Sequence, residues 1–184
     1  MWVSELDALN EMLATAGEEP VENLDYLPPA ANTALMCLRA TNKTVQSEGH
    51  WFNYETDTTF SPNAEKEIIL PVNILAATSI DTDVIKRGKR LYNREAKTFS
   101  FSDSVNCNVI WQLDWDELPY TAARYITALA VEKFMDGYSG EAGITEARKR
   151  NLLRATVAFE EDELRNGKYN LLENESIQQL TRRS

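Results

Sequence analysis

The sequence predicts an α+β fold: an antiparallel α-helical bundle of about four helices, a long β-rich insertion between helices two and three, and an extended C-terminal tail. Three observations carry this. Apolar residues recur at helical spacing in the first 50 residues and again after residue 114. Residues 51–113 are instead rich in Thr, Ile, Val, Phe, Tyr and Trp and are broken by Pro62, Pro71 and Gly88. Residues 168–184 are polar and lack the apolar content to build structure alone. The predicted organisation is a helical domain from 1–50 and 114–167, an insertion at 51–113, and a tail at 168–184.

The first helix follows from Ser4, which can cap it, with Asp7 three residues on as a shortened capping box. Leu6, Leu9, Leu13 and Ala16 form its stripe and Gly17 its stop. An acidic loop, Glu18 to Pro29, follows, and Pro28-Pro29 prevents an earlier helix onset. The second helix is expected from about Ala30 to Glu48, with Ala31, Leu35, Leu38 and Val45 on one face and Gly49 ending it.

Short strands are expected near 51–60, 66–70, 74–80, 83–87, 90–94, 97–102 and 106–113. Arg87-Gly88-Lys89 reads as a hairpin tip. Thr98 to Ser102 alternates as a half-buried strand should. Helices return at Asp116-Glu117-Leu118-Pro119, where acids suit the positive end of the dipole and proline suits a first turn. Tyr125, Ile126, Leu129, Val131 and Phe134 give the third helix a broad apolar face to about Asp136. Gly137, Gly140 and Gly143 form a break. The last helix is expected from about Glu141 to Asn166, ended by Gly167, with Leu152, Ala155, Phe159 and Leu164 as its stripe and Glu146/Arg150 as a supporting pair.

Composition narrows the function classes. The 184 residues are 43% hydrophobic and 26% charged, which excludes a disordered chain and allows a core without disulfides or metals. A net charge of −10 argues against a dedicated nucleic-acid binder. The charge is uneven: residues 1–38 hold seven acids and no Lys or Arg, whereas Lys86 to Lys97 holds six bases and one acid. Cys37 and Cys107 belong to no CxxC or Cys/His cluster and read as buried free thiols. Met1 to Glu5 shows neither region of a secretory leader, and no apolar run approaches the ~20 residues of a membrane helix. The expectation is a chain made and assembled in a reducing cytoplasm, away from the membrane.

No convincing active site emerges, and no cofactor or metal is expected. His50 is the single histidine, so any triad or His-based zinc site must use it; its place between Gly49 and Trp51 favours a turn. Asp114, Asp116 and Glu117 beside Trp111 and Trp115 suggest a carbohydrate-binding or glycan-hydrolysing alternative, since that chemistry uses paired carboxylates and stacking rings. Acids at a helix N-terminus explain the same residues without chemistry. Glu160-Glu161-Asp162-Glu163 lacks the glycine turn of a calcium loop and reads as a solvated face. There is no phosphate loop or dinucleotide fingerprint. The bases Lys86, Arg87, Lys89 and Arg90, with Arg94 and Lys97, fit a charged hairpin edge, an acidic partner or passing DNA.

Four segments together resemble the tail tubular protein A family, the head-to-tail adaptors of short-tailed podoviruses. The run Leu9 to Val21 is similar to the family's opening helix and its IGE-x-P-V turn. Gly49-His50-Trp51-Phe52-Asn53 resembles its G-W-x-F-N, with His50 intervening. Asp114 to Pro119, followed by Arg124-Tyr125-Ile126, is the third segment; Tyr169 to Leu172 with Leu180-Thr181-Arg182 is the fourth. Their order spans nearly the whole chain, the β-rich part matching least. The resemblance implies a non-enzymatic virion tail protein in a dodecameric ring. Its implied partners are the portal protein, the nozzle (tail tubular protein B) and tail fibres, with double-stranded DNA passing through the lumen without specific binding. It supplies no catalytic residue. Subunit and partner contacts are expected from Tyr169, Asn170, Leu171, Leu172, Leu180, Thr181 and Arg182 in the tail and from the basic hairpin. A monomeric binding module remains a third reading.

Overall fold

The computed structural model describes residues 2–79, 81–138 and 146–173, with side chains to residue 167. Its elements run α1 (Glu5–Ala16), α2 (Pro29–Gln46), β1 (Tyr54–Phe60), β2 (Ile74–Ser79), β3 (Val84–Arg87), β4 (Arg90–Asn93), β5 (Val105–Trp111), a 3-10 turn (Trp115–Glu117), α3 (Tyr120–Tyr138) and α4 (Glu146–Glu173). The protein is thus α+β, with four helices and a five-stranded antiparallel sheet among the described residues. Two compact units emerge, one from residues 1–42 and 115–184, the other from residues 43–114.

In the helical unit α1 begins and ends as its sequence dictates. The Ser4 side chain accepts from the Asp7 N–H, the Asp7 carboxylate accepts from the Ser4 N–H at 3.0 Å, and Gly17 closes the helix at φ 78°. The buried stripe is Ala8, Leu9, Met12 and Leu13, with Leu6 and Ala16 at its half-buried margins. α2 starts at Pro29, whose fixed φ suits a first turn, and buries Ala31, Ala34, Leu35 and Leu38. It stops at Gln46, before the expected Glu48; Gly49, at φ 77°, follows the tightened last turn.

α3 is the centre of this unit. Ala122, Ala123, Ile126, Ala128, Ala130, Val131 and Phe134 are buried all round it, as a helix covered on several sides requires. Its onset differs from expectation: Trp115–Glu117 makes a 3-10 turn and the α-helix begins only after Pro119. It also runs through Gly137 to Tyr138, so Gly137 is not part of a break, while Gly140 and Gly143 lie outside the described residues. α4 packs on α3 through Tyr125 and Phe159, stacked at 4.9 Å with planes 5° apart, and through the Thr121 hydroxyl donating to Asp162 at 2.7 Å.

α4 corrects three expectations. It does not end at Gly167, which lies in helix that continues to Glu173. Leu164 is 62% exposed rather than in the stripe. Glu146 pairs with Lys149 at 3.2 Å rather than with Arg150.

The second unit holds the sheet in the order β1-β5-β2-β3-β4. One face buries Ile74, Ala77, Val84, Leu91, Cys107 and Val109 with Ile68, Leu70 and Phe101 from flanking loops. The period of two shows in β5, where Cys107 and Val109 are buried while Asn106 is exposed. β1 is an edge strand with polar, largely exposed side chains and a register shift between Glu55 and Thr58 around Asp57 at φ 57°, features that discourage pairing with another chain. The hairpin at Gly88-Lys89 is as expected, Arg87 facing Arg90 with Gly88 at φ 66°.

Two expected strands are absent. Residues 66–70 and 97–102 make isolated bridges only, Glu67 with Ser100, Ile69 with Arg90 and Asn93 with Thr98. Positive φ at Lys66 and Lys97 turns the chain there and stops a ladder from propagating. The alternation read in 98–102 still holds as burial: Phe101 is buried and Phe99 half-buried, while Ser100 and Ser102 are exposed.

Candidate assembly surfaces

The Gly49-to-Asn53 segment is held by a buried polar network. Asn53, 1% exposed, accepts from the His50 N–H at 2.8 Å and donates to the carbonyls of Gln46 at 2.8 Å and Trp111 at 2.7 Å. Gln46, fully buried, donates to the Leu113 carbonyl at 3.0 Å and accepts from the Leu113 N–H at 2.7 Å. These two amides join the end of α2 to the start of β1 and the end of β5. Gly49 is required twice: its φ is left-handed, and a Cβ would stand 2.8 Å from Ile110 Cδ1. Nothing in its local sequence marks Gln46 as a core residue, and it was missed; Asn53 appeared only within the family-like segment.

Asn10 plays a similar part after α1. Its amide donates to the Val21 carbonyl at 3.0 Å and accepts from the Val21 N–H at 2.8 Å, clamping the Gly17-to-Val21 turn against the helix.

Much of the charge is spent inside each unit. Glu5 takes Arg39 in a two-pronged pair at 2.8 and 2.9 Å, and Glu11 takes Arg124, whose guanidinium stays charged more firmly because of that bond. Glu18 accepts from the Tyr138 hydroxyl, which raises that phenol's pKa. Among the described residues Glu19, Glu22 and Asp25 keep no cationic partner and are exposed.

The basic hairpin is treated alike. Lys86 Nζ donates to the Ile74 carbonyl, and its partial burial, then Lys43, lower its pKa. Arg90 pairs with Glu67 and lies 4.2 Å over the Phe99 ring; Arg87 lies 4.7 Å over Tyr92; Arg94 donates to Asp83 at 2.7 Å. Lys89 and Lys97 remain exposed without an acidic partner among the described residues. Of the bases proposed as contacts, Lys89 and the stacked Arg87 are therefore the ones with charge to offer.

The other candidates are placed as follows. His50 Nε2 sits 3.0 Å from the Val45 carbonyl and its ring stacks on Phe52. Trp115 is buried in the helical unit, its indole donating to the Val3 carbonyl at 2.8 Å, so it offers no face to a sugar. Trp111, half-buried in the sheet unit, donates to Glu55 at 2.8 Å. Burial pushes the Cys107 thiol up to about 11 and raises that of half-buried Cys37. Asp162 of the acidic run binds Thr121 and Arg165 and is not simply solvated; Glu160 and Glu161 are exposed. Tyr169, Asn170, Leu171 and Leu172 lie on the last turns of α4 with side chains outside the described set, and Leu180, Thr181 and Arg182 lie outside the described residues. Sequence reasoning missed the outer faces of two helices, where Leu153, Val157 and Leu164 on α4 and Met36 on α2 are exposed.

These features are surfaces and buried clamps. The chain matches the family model described as tail tubular protein over residues 6–169. It belongs to the tail tubular protein family. Tail tubular protein A of Klebsiella phage KP34 is 30% identical over 153 residues, 79% of this chain and 81% of that relative. The tail tubular match takes in both units, including the Asn10 clamp, the Gln46–Asn53 network and α4 to residue 169.

Proposed function

We propose that this tail tubular protein is a structural part of the virion tail and acts there as the head-to-tail adaptor. In this reading copies of the chain close a dodecameric ring, the portal protein docks on one end and the nozzle on the other, and the genome leaves through the lumen. The observation that carries it is the family match across 6–169. The net charge of −10 supports it, because a wall of the genome's own sign lets DNA slide without sticking. Ring closure needs heterologous contacts in which two different faces of a subunit complement each other.

The helical unit forms the body of the ring in this proposal, and residues 168–184 dock on a neighbouring subunit or the portal. Since the α4 backbone runs to Glu173, removing residues 174–184 is a cleaner cut than removing 168–184. Portal attachment of the truncated protein, measured by co-sedimentation, should be lost; attachment at the full-length level would sink the role of Leu180, Thr181 and Arg182. The adaptor reading itself is tested by electron cryo-microscopy of the chain mixed with its portal and nozzle. A closed ring between the two is the expected result, and a monomer bound to neither overturns it.

A further inference from the structure

We propose that the ring contact is made by the outer face of α4 of one copy packing on the outer face of α2, with the acidic loop before it, of the next copy. The inference rests on the adaptor reading and names the surfaces that would close its ring. It begins with a helix whose solvent side is not polar. Leu153, Val157 and Leu164 are 63%, 44% and 62% exposed. Their spacings of four and seven put them on one stripe, turned away from Phe159, which faces α3.

The charges beside this stripe are segregated along the helix. Arg150 and Arg154 flank its first half, and Glu160 and Glu161 its second; all four are exposed and have no partner of opposite charge among the described residues. The acidic loop before α2 offers the complement to the arginines: Glu22 and Asp25 are exposed with no cationic partner among the described residues, Tyr26 beside them is 94% exposed, and Met36 at 66% lies on the outer face of α2. In this contact Arg150 and Arg154 meet Glu22 and Asp25, and leucine and valine meet tyrosine and methionine beside them.

Placement within the helical unit makes this a head-to-tail contact. Thr121, Tyr125 and Glu132 of α3 face α4, whereas the Ala130 carbonyl, which accepts from Cys37 Sγ at 3.7 Å, faces α2. At 100° per residue Ala130 lies about half a turn from Thr121, so α4 and α2 flank α3 from opposite sides. Two complementary faces on opposite sides are what a closing ring requires.

The test uses the full chain assembled with its portal protein, with ring formation scored by electron microscopy and mass photometry. Arg150→Glu with Arg154→Glu, and separately Glu22→Arg with Asp25→Arg, should each lower ring formation roughly tenfold or more, because like charges then face each other. The four changes together should restore it. None of these side chains has a partner of opposite charge among the described residues, and circular dichroism should show every variant folded. Wild-type ring formation by R150E/R154E overturns the contact while leaving the adaptor intact. Rescue of R150E/R154E by Glu160→Arg with Glu161→Arg, with E22R/D25R inert, overturns it in favour of antiparallel α4 pairing. Failure of the wild-type chain to form any ring with its portal overturns the adaptor reading and this contact together.

Discussion

At the scale of single residues, two positions show why a short motif has the residues it has. Gly49 and Gly17 both sit at positive φ, but only Gly49 also faces Ile110 at 2.8 Å from a would-be Cβ, while Gly17 has nothing within 4 Å. Gly17→Ala should therefore cost about 1 kcal/mol from backbone strain alone, and Gly49→Ala about 2 kcal/mol or more. Urea denaturation of the two variants side by side would separate strain from clash; equal losses would mean that Ile110 yields freely. Asn53→Ala strands the Trp111 carbonyl and the His50 N–H in the interior and leaves the Gln46 carbonyl only its bond from the Gly49 N–H, for an expected loss of about 2 kcal/mol. Asp7 gives a pH-dependent term. Its hydrogen bonds from Ser4 hold its carboxyl below the ordinary value of 3.8. A depressed folded-state pKa stabilises above the unfolded value and ceases to do so as pH falls through the folded value. The advantage over Asp7→Asn should be present at neutral pH, begin to fall near pH 4 and vanish in stronger acid. Exposure keeps it to a few tenths of a kcal/mol. Thermal melts of both proteins across that range would check the sign.

The elements show where helical and strand patterns were readable. Capping signals placed α1 to the residue because Ser4, Asp7 and Gly17 act on their own neighbours. α4 overran Gly167 because a glycine inside a helix costs only about 1 kcal/mol, and helical surroundings on both sides outweigh that. The strands expected at 66–70 and 97–102 have the right composition, but positive φ at Lys66 and Lys97 is not announced by lysine. Between elements, the Glu11–Arg124 pair joins α1 to α3 with both side chains about 30% exposed. Arg124→Ala should destabilise the helical unit by about 1 kcal/mol, readable by chemical denaturation and largely retained in salt because the pair is half-buried. The sheet gives a sharper test through Cys107, fully buried with its thiol near 11. At pH 8 Cys37 should be alkylated slowly and Cys107 only on unfolding, distinguishable by mass spectrometry of the labelled peptides.

For the whole molecule, the partition of charge matters more than its total. Most acids of α1 and most bases of the hairpin pair within their own unit, so the blocks that look complementary in sequence have little left to offer a neighbour. The exposed charges without an opposite partner among the described residues include those of the acidic loop before α2 and Arg150, Arg154, Glu160 and Glu161 of α4. If those charges hold the ring, assembly should weaken steadily between roughly 50 and 500 mM salt, since exposed ion pairs are screened over that range. A salt-independent association would assign closure to apolar contacts alone.

Read alone, the chain displays the α+β class, the caps of α1, the hairpin at Gly88, most of the apolar stripes of the first three helices and, through family-like segments between Leu9 and Ile126, membership in the tail tubular proteins. Those properties depend on neighbours in the chain or on short-range periodicity, which a sequence displays directly. Tertiary structure decided that Gln46 and Asn53 are core residues, that Lys86 and Arg90 are spent on internal partners, that Trp115 is buried, and that α4 turns Leu153 and Val157 outward. Each of these depends on which distant residue arrives opposite a side chain: Leu113 for Gln46, Glu67 for Arg90, Val3 for Trp115. Spacing along one segment carries no information about its partner across the fold, so an amide or a cation reads the same whether it will clamp a core or face a neighbouring subunit.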